Sequence, residues 1–244
     1  MIPDTFFGKR LAVAGAAGKY AGLLRAGFVL VMLSAFSAMA YGQAQGQGQE
    51  NVLLLPPECQ PDLLGPANFN NPACQRAMLQ RAADQNDASA QYNLGLQHAA
   101  GQGVAKAKND AEAARWYRRA AEQGHAKAQF NLGVMYARGQ GVKRDDAEAV
   151  KWYEKAAEQG NAKAQYNLAW MLAKGRGGMR DEAQAANWFR KAAEQGEAKA
   201  QYNLGWMYVN GQGVAENGAE AKKWFRLAAG QGHAEAKKAL QMVR

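Results

Sequence analysis

Four tryptophans, Trp116, Trp152, Trp188 and Trp224, recur at a fixed step of 36 residues. Gly139, Gly175 and Gly211 keep that step, and so do Tyr166 and Tyr202. A fixed period of roughly 20–50 residues marks one supersecondary unit copied several times, too small to bury its apolar face alone. The units must therefore stack into a solenoid in which each touches only its neighbours. Within residues 126–161 the spacing is helical. Ala126, Phe130, Gly133 and Ala137 share one face of a first helix, with Ala128, Leu132 and Tyr136 on a second face. Ala149, Trp152, Tyr153, Ala156 and Ala157 then outline the buried face of a second helix. Gly139 and Gly160 follow these helices where a left-handed cap is needed. Gly133 lowers helix propensity but lets a neighbouring helix come close. The fold class is all-α.

The ends of the array follow the same logic. Met78, Leu79, Ala82 and Ala83 align with Trp116, Tyr117, Ala120 and Ala121, so a lone second helix opens it, with Asn86 in place of the capping glycine. A lone first helix, rich in lysine, closes it over residues 234–244. Half-repeats at both ends cover an otherwise exposed apolar stack.

The stretch AEAVKWYEKAAEQGNAKAQYNLAWMLAKG resembles the Sel1-like repeat, a relative of the tetratricopeptide repeat. Four copies carry both A-x-x-W-[YF] and A-Q-[YF]-N-L, and the resemblance covers residues 74–244. It implies an α/α right-handed solenoid of about four helix hairpins with half-repeat caps and a concave inner face. It also implies an adaptor role, as in exported bacterial members that act in envelope assembly, signal regulation or host interaction. A disulfide-rich branch of the family, associated with penicillin binding and weak β-lactamase activity, places a cysteine pair in every repeat. This chain has no cysteine pair inside its repeats, which weighs against that branch.

Residues 1–40 read as a signal peptide. Lys9, Arg10, Lys19 and Arg25 precede the apolar run AGFVLVMLSAFSAMA, which ends in the small-x-small pattern Ala38-Met39-Ala40. The run is short for a membrane span, which needs about 20 apolar residues. Cleavage is expected before Tyr41, giving a periplasmic or secreted protein with no membrane span. Residues 41–73 form a Gly/Gln-rich and then Pro/Asn-rich irregular segment. Export to an oxidising compartment predicts a Cys59–Cys74 disulfide, with two free thiols as the alternative. A loop of that length stabilises by about 3 kcal/mol in the chain-entropy model.

The formal net charge is +9 and stays basic once residues 1–40 are removed. Outside the cell, acidic proteins or envelope polymers fit that balance better than nucleic acid. No catalytic constellation is visible, and no cofactor or metal is implied. Beyond residue 40 the sequence has one serine, Ser89, and no threonine, so a serine acyl-enzyme has neither nucleophile nor S-x-x-K base. His125 and His233 occupy a variable position expected to lie exposed at a helix start, and His98 takes a tyrosine position in the packing. Gly139-Gln140-Gly141 and its copies follow helices, so they read as helix terminators and turns, since nucleotide loops follow strands.

One stripe on the first helices is not required by packing. It runs Ser89, Asn93, Leu96, Ala100 in the first repeat and Lys127, Asn131, Val134, Arg138 in the second. It continues as Lys163, Asn167, Trp170, Lys174 and then Lys199, Asn203, Trp206, Asn210. If the first helices line the concave face, this row lines a groove. The expectation is a binding site for a protein or acidic peptide, with peptidoglycan or another acidic glycan as the alternative and a β-lactamase-like enzyme third. A competing account has the asparagines capping neighbouring loops and the tryptophans filling gaps between helices.

Overall fold

The computed structural model describes Cys59 and residues 71–101 and 108–243; the readings for residues 1–40 and for nearly all of 41–70 lie outside these. Among the described residues there are ten helices and no strand. A lone helix α1 (Pro72–Asp84) is followed by four hairpins: α2 (Ala88–Ala100) with α3 (Asp110–Glu122), α4 (Ala126–Arg138) with α5 (Asp146–Glu158), α6 (Ala162–Lys174) with α7 (Glu182–Glu194), and α8 (Ala198–Asn210) with α9 (Gly218–Gly230). Helix α10 (Ala234–Met242) comes last. Each helix packs chiefly on its neighbours in sequence, as a nearest-neighbour array requires. The chain is thus an all-α solenoid of helix pairs flanked by single helices.

The caps fix where each helix begins and ends. The second helices start at Asn109, Asp145, Asp181 and Asn217, whose side chains accept hydrogen bonds from the exposed first-turn N–H groups. The first helices end at Gly101, Gly139, Gly175 and Gly211 in the left-handed conformation. Asn86, expected to stand in for a glycine after α1, has φ 70°. Helix α1 begins at Pro72, two residues before the expected boundary, and Cys74 on its first turns is joined to Cys59 in a disulfide. Both sulfurs are buried beside Ala77 and Met78.

The core is made of alanine, leucine, methionine and aromatic rings of the second helices. Tyr117, Tyr153, Phe189 and Phe225 are buried in it, with Trp152 and Trp224 beside them. The rings come closest to the first-helix backbone at Gly95 and Gly205, where an added Cβ would lie 2.5 Å from Tyr117 and Phe225; at Gly133 it would lie 2.7 Å from Tyr153. The third repeat carries Ala169 at that position.

A column of amides crosses this apolar stack. Gln91, Gln129, Gln165 and Gln201 are all buried on the first helices. Each Nε2 donates to a carbonyl in the last turn of the preceding helix, at Ala83, Ala121, Ala157 and Ala193, over 3.0–3.1 Å. Each Oε1 accepts from the glutamine that caps the following helix, Gln123, Gln159, Gln195 or Gln231, at 2.7–2.8 Å. One side chain therefore ties three helix ends together and gives a C-terminal carbonyl a second donor beside the backbone N–H of the following turn.

Candidate functional site

The stripe on the first helices divides into three kinds of residue. Its charged members, Lys127, Arg138, Lys163, Lys174 and Lys199, are exposed, as is Asn210. Asn93 is exposed, whereas Asn131, Asn167 and Asn203 are half-buried and engaged. The Asn131 amide hydrogen-bonds the phenol oxygens of Tyr92 and Tyr117. Asn167 does so for Tyr153, and Asn203 for Tyr166. Burial pushes the Tyr117 and Tyr153 phenols up to about 12, and the asparagine amides partly offset that shift. Each of these asparagines thus bonds tyrosines of the preceding repeat.

The two tryptophans at equivalent positions have different surroundings. Trp206 is half-buried, edge-on to Phe225 at 5.5 Å and to Tyr202 at 6.4 Å between ring centroids, and joins the core formed by α8, α9 and α10. Trp170 is 37% exposed. Its ring is covered by the Arg176 guanidinium, 5.2 Å from the centroid. Arg176 is held in turn by the Asp146 carboxylate through two hydrogen bonds of 2.8 and 2.9 Å. Arg176 and then Arg144 hold the Asp146 carboxyl down to about 2. The sequence gives the two tryptophans one role; the packing assigns Trp206 to the core and leaves Trp170 presented on the surface by a fixed ion pair.

The cations of α3, α5 and α7 differ from those of α4, α6 and α8; on α9 Lys223 pairs with Glu220, while Lys222 and Arg226 meet no side chain among the described residues. All seven cations of α3, α5 and α7 are engaged within the chain. Arg115 and Lys151 pair with Glu112 and Glu148 one turn back. Arg118 and Arg190 bond the Tyr136 and Tyr208 hydroxyls. Arg119, Lys155 and Lys191 lie over the rings of Trp116, Trp152 and Trp188 at 4.8, 4.5 and 4.0 Å. The Arg119, Lys155 and Lys191 row is therefore the cover of the outer tryptophans. On α4, α6 and α8 all five cations belong to the stripe, and these helices contain no Asp or Glu. Among the described residues, none of the five makes an ion pair, a side-chain hydrogen bond or a ring contact.

The histidines are not the exposed residues the sequence suggests. His125 and His233 are half-buried, stacked on Tyr92 and Tyr202 at 4.6 and 4.7 Å, because the residue before each first helix turns inward over the previous repeat. His125 caps α4, its Nδ1 accepting from the Ala128 N–H at 3.2 Å. Burial, chiefly, lowers its pKa below 6.5. A lowered folded-state value means stability that is intact above 6.5 and lost as pH falls through the folded value. Asn161 makes the same cap without titrating. His125→Asn should therefore melt close to the wild type at pH 8 and progressively above it as pH drops below 6.5. Parallel melting curves across that range would show that the imidazole does not sense pH.

Among the described residues, no group of three or more His, Cys, Asp or Glu could hold a metal ion. A hollow of about 830 Å³ is lined by residues such as Arg118, Tyr136, Lys143, Arg144 and Asp146, and this lining holds no nucleophile–base pair. No described helix is long and apolar enough to cross a membrane.

The Sel1 repeat family matches residues 88–125, 126–161, 162–197 and 198–233, one hairpin to each copy. No curated protein matches the chain. Among solved structures, a protective antigen of uropathogenic Escherichia coli displaying the same repeat fold is 43% identical, with a TM-score of 0.64 over 67% of this chain and 35% of that one. This chain thus spans about a third of the antigen's length. A Sel1 repeat protein from Oxalobacter formigenes is 33% identical, with a TM-score of 0.61 over 86% of this chain and 73% of that one. With four matched copies covering more than half of the sequence, each coinciding with one hairpin of the solenoid, the chain belongs to the Sel1 repeat family.

Proposed function

We propose that this protein is an exported, non-enzymatic adaptor that holds a protein partner along the first-helix stripe. A contrast in contacts carries the reading: the cations of α3, α5 and α7 each meet another side chain of the array, whereas the five on α4, α6 and α8 lie in one row and meet none among the described residues. Trp170, exposed and oriented by Arg176, supplies the apolar contact that interface centres favour. Export rests on the signal-like residues 1–40, and the Cys59–Cys74 bond suits an oxidising compartment. The E. coli relative is described as a protective antigen, which accords with an exposed or exported role here.

Site-specific photo-crosslinking tests the surface. A crosslinker in place of Lys163 should give discrete protein adducts in the native envelope fraction, and one in place of Lys151, on the opposite set of helices, should not. Equal labelling from both positions, or none from position 163, would remove the stripe from consideration.

A further inference from the structure

We infer that the partner is engaged as an extended acidic segment, with carboxylates recurring about every third residue along α4, α6 and α8. This rests on the reading of the stripe as a binding surface and adds the chemistry and register of what lies there. Lys127, Lys163 and Lys199 are equivalent residues of three consecutive repeats. Each stands at the second position of its helix, with no acidic residue in the first turn. The helix dipole disfavours a cation there, so the stability of the helices does not account for three lysines in that place. Arg138 and Lys174 add two more uncompensated charges at the far ends of α4 and α6. The row as a whole repels itself and is complementary to a linear polyanion.

The pitch sets the register. Packed helices lie about 8–10 Å apart. An extended or polyproline-like chain rises about 3.1–3.3 Å per residue. Consecutive stripe helices pack through the second helix between them, so one repeat spans at least that distance, and about three ligand residues is the shortest spacing at which carboxylates meet successive lysines. Trp170 sits within this row in the middle repeat, where an apolar or proline side chain between two carboxylates can pack on it.

The probe is a fluorescent twelve-residue peptide of four Glu-Pro-Ala units, read by anisotropy with the full-length protein at low and high salt. Binding should weaken steeply with salt. A peptide of the same composition with its four glutamates consecutive should bind more weakly. Changing Lys127, Lys163 and Lys199 together to Gln should weaken binding about tenfold, summing three exposed pairs. Trp170→Leu should weaken it about fivefold. Lys151→Gln with Lys155→Gln should leave it unchanged. All of these side chains reach the surface, and melting curves confirm that each variant folds.

Undetectable binding of the spaced peptide, or equal binding by the triple variant, overturns the inference. So does displacement of the peptide by phosphatidylglycerol vesicles or soluble peptidoglycan fragments below the peptide's own concentration, which would assign the row to a lipid or glycan. Adducts at position 163 without peptide binding would preserve the adaptor reading and reject the acidic segment. Absence of both would reject the adaptor reading as well.

Discussion

Gly141→Ala should destabilise the protein by roughly 3–5 kcal/mol, whereas Gly160→Ala should cost only about 1 kcal/mol. Both glycines have positive φ, 66° and 84°, so the backbone penalty for an L-residue is shared. Their surroundings differ. A Cβ on Gly160 would meet nothing within 4 Å. A Cβ on Gly141 would stand 2.1 Å from the Asp110 carbonyl oxygen and 2.6 Å from the Ala111 nitrogen, both backbone atoms at the start of the previous repeat's second helix. Rotamer changes cannot relieve a backbone clash; the loop must lift off its neighbour. The contact recurs, with Gly177 2.3 Å from the Asp146 carbonyl and Gly213 2.0 Å from that of Glu182 by the same measure. In two of these loops the residue between the glycines also reaches that helix start, Arg176 to Asp146 and Gln212 to Glu182. Urea denaturation of the two variants measures the difference directly. Equal losses would mean that the loop carries no coupling between repeats.

The helix pairs, their caps and the left-handed residues were legible because they follow from periodicity and from local rules that one residue can satisfy. The Gly-x-Gly loops were read as turns, which they are, but the second glycine owes its place to a neighbouring repeat that spacing alone does not reveal. The tryptophans of the stripe show the same limit more sharply. Trp170 and Trp206 share a repeat position, yet Phe225 and Tyr202 close over one while Arg176 and Asp146 present the other. The asparagines looked free because their tyrosine partners lie one repeat away. The buried glutamines were missed outright, since a polar residue beside an apolar face reads as solvent-facing. A signal for them was present: Gln91, Gln129, Gln165 and Gln201 are identical in all four copies, as are the capping Gln123, Gln159, Gln195 and Gln231. An amide held through every copy points to a side chain that is hydrogen-bonded, buried as in Gln165 or exposed as in Gln195.

If that amide column couples the repeats, Gln165→Leu should destabilise by about 1–2 kcal/mol even though leucine fits an apolar environment. The substitution removes the 3.0 Å bond to the Ala157 carbonyl, which keeps only the Gly160 N–H, and with it the bond from Gln195. Each such bond contributes about 1 kcal/mol, and the site lies beside fully buried alanines where water does not replace it. Gln195 is exposed and can turn to water, so the loss on that side is small. Gln195→Ala should accordingly cost only about 1 kcal/mol, because Gln165 keeps its bond to Ala157 and loses only the 2.7 Å contact at Oε1. The double variant should fall short of the sum of the two losses, since removing Gln165 already forfeits what Gln195 contributes. Chemical denaturation of the four proteins closes the cycle. A stabilising or neutral Gln165→Leu would show that the apolar stack holds the helix ends without the column. The predicted loss, with non-additivity confined to this pair, would make the buried glutamine the residue through which one hairpin fixes the next, and so the residue that keeps the lysines of α4, α6 and α8 in register.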